Sequence, residues 1–237
     1  MDKSFLAAYV SLFIRTCHLC RAHAIGGMAA YIPVKNEEKA NKLALENVRQ
    51  NKLREANAGH DGTWIAHPGL VSIAKQVFDE SMPKPNQISS KKQYDKIIGQ
   101  KDLLDVPEGN ITLSGLKTNI NVGLRYLTAW LGGRGAVPIN NLMEDAATAE
   151  ICRAQIWQMI HHKARLDYDE LVDMTLFRAN LRSELAKIKE EKGHSASDIE
   201  LATKLLEDSV VTNDFFEFLT LPAYAILVKD LKTIETR

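Results

Sequence analysis

The chain carries no excess of charge: 30 Lys and Arg are balanced by 30 Asp and Glu. Without a basic field or a long Lys/Arg run there is nothing to hold a phosphate backbone, so no nucleic-acid partner is expected. Long apolar runs are missing as well. None reaches the ~18 residues that a bilayer-spanning helix needs, and no membrane partner is expected. The N-terminal Phe5-Leu6-Ala7-Ala8-Tyr9-Val10 gives way to polar Ser11 and Arg15 without a clean apolar region or cleavage site. The closing Glu235-Thr236-Arg237 is not a peroxisomal address of the S-K-L kind. Cysteine is scarce and odd in number, with only Cys17, Cys20 and Cys152. That usage, with no export signal, fits a reducing compartment, and the expected location is the cytoplasm. Cys17 and Cys20 form a C-x-x-C. The pair lies inside an apolar helical run with no second pair to follow, and reads as core thiols rather than zinc or redox chemistry.

Hydrophobic residues make up 45% of 237 positions, enough for one large domain or two small ones. Residues 4–20 read as a helix with Phe5, Leu6, Tyr9, Leu12, Phe13 and Cys17 on one side. His23 to Ala30 is short, apolar and glycine-bearing, and reads as a buried strand ending in a loop. Residues 36–56 read as a solvated helix. Asp61-Gly62 marks a turn, Thr63 to Ala66 a second short buried strand, and Pro68 opens a helix reaching about Met82. Strands alternating with helices predict a parallel sheet or barrel. Two parallel strands cannot close and leave bare edges, so the chain is expected to be part of something larger. From Pro83 to Gly109 the Pro/Ser/Gly content reads as a linker. Beyond it everything reads as helix: 114–131, 145–163, 168–192, 197–209 and 213–219, a bundle of five elements. No repeat or low-complexity segment occurs.

The most informative stretch runs from Pro138 to Ile151. It sets Glu144 and Asp145 at the mouth of a helix after a Gly/Pro-rich loop. Asp145 shares helical spacing with Ala149, Cys152, Ile156 and Met159, which would aim its carboxylate along the buried face, where a general base works. On spacing alone the commoner reading is an N-cap at the positive end of the helix dipole. Trp64 ends a short strand, where α/β barrels place site residues, although a core tryptophan is the commoner case. His67 reads either as a ligand or base or as a ring bonded to backbone. His161 and His162 point about 100° apart on a helix and read as a surface pair, with Trp157 half buried. Gly26-Gly27-Met28 lacks the context of a phosphate loop. No G-x-S-x-G occurs, and Cys152 in a helix interior is a poor place for a reactive thiolate.

Three segments then fall in order: Ala22-His23-Ala24-Ile25-Gly26-Gly27-Met28-Ala29-Ala30, Asp61-Gly62-Thr63-Trp64-Ile65-Ala66-His67-Pro68 and Leu142-Met143-Glu144-Asp145-Ala146-Ala147-Thr148-Ala149-Glu150-Ile151. Together they closely resemble malate synthases of the shorter A isoform. Trp157, His161-His162 and Phe218-Leu219-Thr220-Leu221-Pro222 look like that family's C-terminal region. The resemblance runs through essentially the whole chain, yet covers only the C-terminal part of such an enzyme.

The resemblance implies an α/β plus all-α fold, mostly helical overall. The last two strands and helices of a TIM-type (β/α)8 barrel would be followed by a C-terminal helical bundle. Residues 1–82 would be the C-terminal part of the barrel's catalytic domain, 83–110 a linker and 111–237 a helical capping domain. The implied activity is acyl transfer: condensation of glyoxylate with acetyl-CoA to malate and free CoA, the glyoxylate-cycle step, with Mg²⁺. The family's base is the Asp of its M-E-D motif, which falls on Asp145. Trp64 and Met143 match residues lining the glyoxylate and acetyl pocket, as do Met28 and Pro68, while Glu144 is given no chemical role. The family's arginine for the enolate oxygen and its Glu and Asp ligands for Mg²⁺ belong to earlier strands, so no metal ligand is expected in this chain. Relatives often carry a Cys in the loop before the base, where this sequence has Ala136. A truncated chain of this kind is expected to be inactive alone, with an open sheet edge for self-association. The reading from another class is a non-catalytic, truncated helical interaction module.

Overall fold

The computed structural model describes residues 3–33, 37–90, 92–191, 193, 195–215 and 217–235, the side chains of 229–235 excepted. Asn36 and Lys192, at the ends of two expected helices, lie outside the described residues. The chain divides into two compact units, Met1–Gly109 and Asn110–Arg237.

The first unit runs α1 (Ser4–Leu19), β1 (Ile25–Ala29), α2 (Glu38–Ala58), β2 (Gly62–Ile65) and α3 (Val71–Ser81), in the expected order. β1 and β2 pair in parallel, with Met28 opposite Trp64 and Ala29 opposite Ile65. No further strand joins this sheet among the described residues. The buried face of α1 is Ala8, Val10, Ser11, Ile14 and His18. The stripe through Tyr9, expected to be the inner one, is not: Tyr9 is exposed and Phe5, Leu6, Leu12 and Phe13 are half-buried. Half-buried Cys17 packs against the Val10/Ile14/Ala24 cluster, whereas Cys20 is exposed and is not a core thiol.

Charged α2 is solvated only on its outer side, because Val48, Lys52, Glu55 and Ala56 are buried. Lys52 and Glu55 tolerate burial by satisfying one another. Lys52 Nζ donates to both Glu55 oxygens at 3.1 Å, to the Gly27 carbonyl at 2.8 Å and to the Thr63 hydroxyl at 2.6 Å. Thr63 in turn donates to Glu55 Oε2 at 2.6 Å. This knot ties α2 to both strands. Gly26 makes room for it, since a Cβ there would stand 2.5 Å from Glu55 Oε2.

A second knot gathers the strand entrances. Asp61 Oδ2 accepts from Ala24 N at 2.7 Å and pairs with His18 Nε2 at 2.9 Å, and its Oδ1 accepts from Gln87 N at 2.5 Å. Residues 83–109, expected as a linker, therefore pack on the first unit. The buried Gln87 amide donates to the Ala56 and His60 carbonyls, Gln93 donates to Ala58, and Arg15 donates to Lys96 O. Pro, Ser and Gly mark this segment as irregular, and irregular backbone still packs where side-chain amides satisfy it. It carries a turn of 3-10 helix at Ile88–Ser90 and a short α-helix, α4 (Gln100–Leu103). Among the described residues, apolar burial in this unit is split among three small clusters: Val10/Ile14/Ala24, Ala29/Val48/Leu70 and Ala56/Val77/Phe78.

The second unit holds α5 (Leu113–Leu131), α6 (Ala146–His161), α7 (Met174–Glu190), α8 (Ala196–Val211) and α9 (Thr220–Glu235). Leu116, Ile120, Leu124 and Leu127 of α5 are buried at helical spacing in one continuous core shared with α6, α7 and α8. Three departures from expectation stand out. A β-hairpin, β3 (Val137–Ile139) with β4 (Leu142–Glu144), interrupts the helices. α7 begins six residues late, at Met174, where Asp173 caps it through Leu176 N. The last helix is 220–235 rather than 213–219, since Pro222 is tolerated in a first turn that needs no intrahelical N–H there. Thr212, Phe215 and Leu219 are instead strapped to α6. Glu150 accepts from Leu219 N, Trp157 Nε1 donates to Thr212 O, and fully buried Arg153 lies 4.1 Å over the Phe215 ring.

Two stability measurements follow from these knots. Glu55→Ala leaves a buried ammonium without its counter-charge and should cost about 3–5 kcal/mol. A urea midpoint unchanged by that substitution would refute the knot. Burial raises the Asp61 pKa, but the Gln87 and Ala24 amides and His18 outweigh it, and the carboxyl titrates below its ordinary range. Its stabilisation is therefore present above the unfolded value and is lost as pH falls below about 4. Asp61→Asn should be weaker at neutral pH and flatter in acid. Parallel urea midpoints for both proteins down to about pH 3 would contradict this.

Candidate active site

Asn140 and Asn141 take φ values of 50° and 64°, two successive left-handed residues that close the two-residue hairpin. The register pairs Val137 with Glu144, Pro138 with Met143 and Ile139 with Leu142. Alternation buries Val137, Ile139 and Glu144, and leaves Pro138 exposed beside half-buried Met143. The hairpin delivers the chain to Asp145, whose extended backbone (φ −130°, ψ −175°) makes it the N-cap of α6.

Asp145 Oδ1 accepts from Ala147 N at 2.9 Å and from Thr148 N at 3.3 Å. Ala149, Cys152 and Ile156 form the buried stripe as expected. Asp145 does not head it along the buried face: it is exposed in this chain. The helical period stops at the first helical residue, so an extended cap residue folds its side chain back over the helix end. The result is a carboxylate pinned by one oxygen at the helix N-terminus, with Oδ2 free of protein hydrogen bonds among the described residues. Burial and the charge of Asp145 together push the Tyr126 phenol upward. Burial, then the charge of Glu144, pushes the Cys152 thiol up to about 11.

In the first unit, Met28 and Trp64 stand opposite each other on the parallel strands. Trp64 is 65% exposed and Met28 40%, so the tryptophan is not a core residue. Pro68 is exposed and opens a turn of 3-10 helix capped by His67, whose Nδ1 accepts from Gly69 N at 3.0 Å. That nitrogen is spent on backbone. The structure thus brings the expected site residues together as two groups, Met28 with Trp64 and Met143 with Asp145. His161 stacks on Trp157 at 4.3 Å, and His162 meets His161 edge-on, both histidines exposed. Sequence reasoning missed the Lys52–Glu55–Thr63 knot and Tyr126. The hairpin had a signal, Asn140-Asn141 between Val-Pro-Ile and Leu-Met-Glu.

The family model "Malate synthase, TIM barrel domain" matches residues 1–106, and "Malate synthase, C-terminal" matches 110–227. The chain belongs to the malate synthase family. A malate synthase of Myxococcus xanthus is 52% identical over 230 residues, covering 96% of this chain and 42% of that protein. Malate synthase A of Escherichia coli is 45% identical over 231 residues, covering 96% and 43%. A bifunctional glyoxylate cycle protein of Caenorhabditis elegans is 47% identical over 230 residues, covering 97% and 24%. The chain spans less than half the length of these relatives. Both family models meet near the boundary between the two compact units.

The three thiols should separate by reactivity. At pH 8, iodoacetamide labelling followed by mass spectrometry should modify exposed Cys20 first and half-buried Cys17 more slowly. Cys152 should react only on unfolding, because burial and a pKa of about 11 leave almost no accessible thiolate. Labelling of Cys152 at the Cys20 rate would contradict its place in the core.

Proposed function

We propose that this chain is the base-bearing part of a malate synthase, an acyltransferase condensing acetyl-CoA with glyoxylate in the glyoxylate cycle. Asp145 is the general base. Its free Oδ2 takes a proton from the acetyl methyl, while the Ala147 and Thr148 amides hold Oδ1 still. The enolate formed adds to the glyoxylate aldehyde, and hydrolysis of the thioester releases malate and CoA. Trp64, Met28, Met143 and Pro68 are proposed as the apolar wall around the acetyl group and glyoxylate. The single observation that carries this reading is the one-oxygen cap at Asp145 within a family-matching M-E-D segment.

Residues 1–82 are proposed as the closing elements of the barrel and residues from about 110 as the capping domain, with 83–109 packed on the barrel part. Unpaired sheet edges and three divided cores in the first unit support this reading. Mg²⁺ would polarise the aldehyde, but this chain does not fit it: among the described residues no three His, Cys, Asp or Glu side chains stand together to hold an ion. Its ligands and an arginine for the enolate oxygen are proposed to lie outside this sequence, so the isolated chain is inactive. No described helix is long and apolar enough to cross a membrane, and the cytoplasm is the proposed location.

A thiol-release assay with acetyl-CoA, glyoxylate and Mg²⁺ tests this directly. The isolated chain should release no CoA, and adding the preceding barrel portion of the Myxococcus relative should restore turnover. In that assembly Asp145→Asn should lower kcat by about 10²–10⁴-fold. Turnover by the isolated chain, or an Asn variant as active as the parent, would overturn the proposal. So would a stable monomer that never engages the barrel portion, the result expected of a self-sufficient fold.

A further inference from the structure

The structure assigns Tyr126 as a positioning residue: its phenol fixes the short Gly135-Ala136 link between the capped end of α5 and the hairpin that carries Asp145. Tyr126 is 2% exposed and donates to the Gly135 carbonyl at 3.0 Å. The segment it holds is glycine-rich and costly to order. The N–H groups of Gly132, Gly133 and Arg134 are spent on the Thr128, Trp130 and Ala129 carbonyls, closing the end of α5. The strand ladder begins at Val137. Between these two anchors Gly135 and Ala136 make no backbone–backbone hydrogen bond among the described residues. Burial of Val137 and Ile139 holds the strand sideways, and the phenol sets where the strand starts. A shift at Gly135 passes through the Val137–Glu144 pair directly to Asp145.

Tyr126→Phe keeps the ring and removes the tether alone. This role rests on the malate synthase reading for its catalytic consequence, and not for the tether itself.

Two measurements on the full chain test it. In Tyr126→Phe, amide hydrogen exchange of hairpin residues 137–144 should quicken about tenfold or more while α7 amides keep their rates, the mark of local opening. Unchanged hairpin exchange, or acceleration shared equally by α7, would overturn the tether. With the barrel portion supplied in trans, kcat per folded site should fall about 10- to 100-fold, as for a misplaced catalytic group, with KM for both substrates unchanged. A kcat per folded site equal to the parent's would overturn the positioning role. If the parent assembly itself shows no turnover, the malate synthase reading fails and hydrogen exchange still decides the tether.

Discussion

Everything the second unit offers chemically depends on how one carboxylate is divided. Asp145 gives one oxygen to two peptide N–H groups at the start of α6 and, among the described residues, keeps the other unspent. Capping and basicity are often treated as rival readings of such a residue, but in the function proposed for Asp145 the cap is what would orient the base. A free carboxylate would sample several rotamers, whereas a capped one has its unspent lone pairs aimed in a fixed direction. The surrounding architecture serves that aim. A tight hairpin with two left-handed asparagines delivers the residue, a buried phenol sets the hairpin's start, and a continuous apolar core holds α6 against α5 and α8.

The first unit follows a different physical logic. Its apolar burial is small and divided, and two buried polar knots fix the strands in its place. Lys52, Glu55 and Thr63 tie the helix to both strands, and Asp61 gathers His18, Ala24 and Gln87 at the strand entrances. Buried ion pairs of this type add little net stability compared with apolar packing, but losing one partner is costly, which makes them devices of geometry. What they position is the register that sets Met28 opposite Trp64.

Much of this was legible in the residues, and the failures have physical causes. The alternation of helices and two short strands, their parallel pairing and the α6 stripe follow from periodicity and punctuation. Asp145 was legible as a cap but misread in direction, because helical spacing says nothing about a residue whose backbone is extended. The α1 stripe failed for a related reason: the apolar side through Tyr9 is left exposed, while Ser11 and His18 are buried by partners distant in sequence. Lys52 and Glu55 read as solvent-facing because charge normally is, and only the fold reveals that they neutralise each other. The segment 83–109 was legible as irregular but not as packed, since its contacts run through Gln87 and Gln93 to carbonyls about 30 residues away.

The most direct measurement is isotope wash-in at the acetyl methyl. The assembled enzyme is held with acetyl-CoA in D₂O without glyoxylate, and deuterium in the recovered thioester is read by mass spectrometry. Proton abstraction by Asp145 predicts steady incorporation by the parent and none above background by Asp145→Asn. Incorporation by the Asn variant at the parent's rate would show that some other group removes the proton.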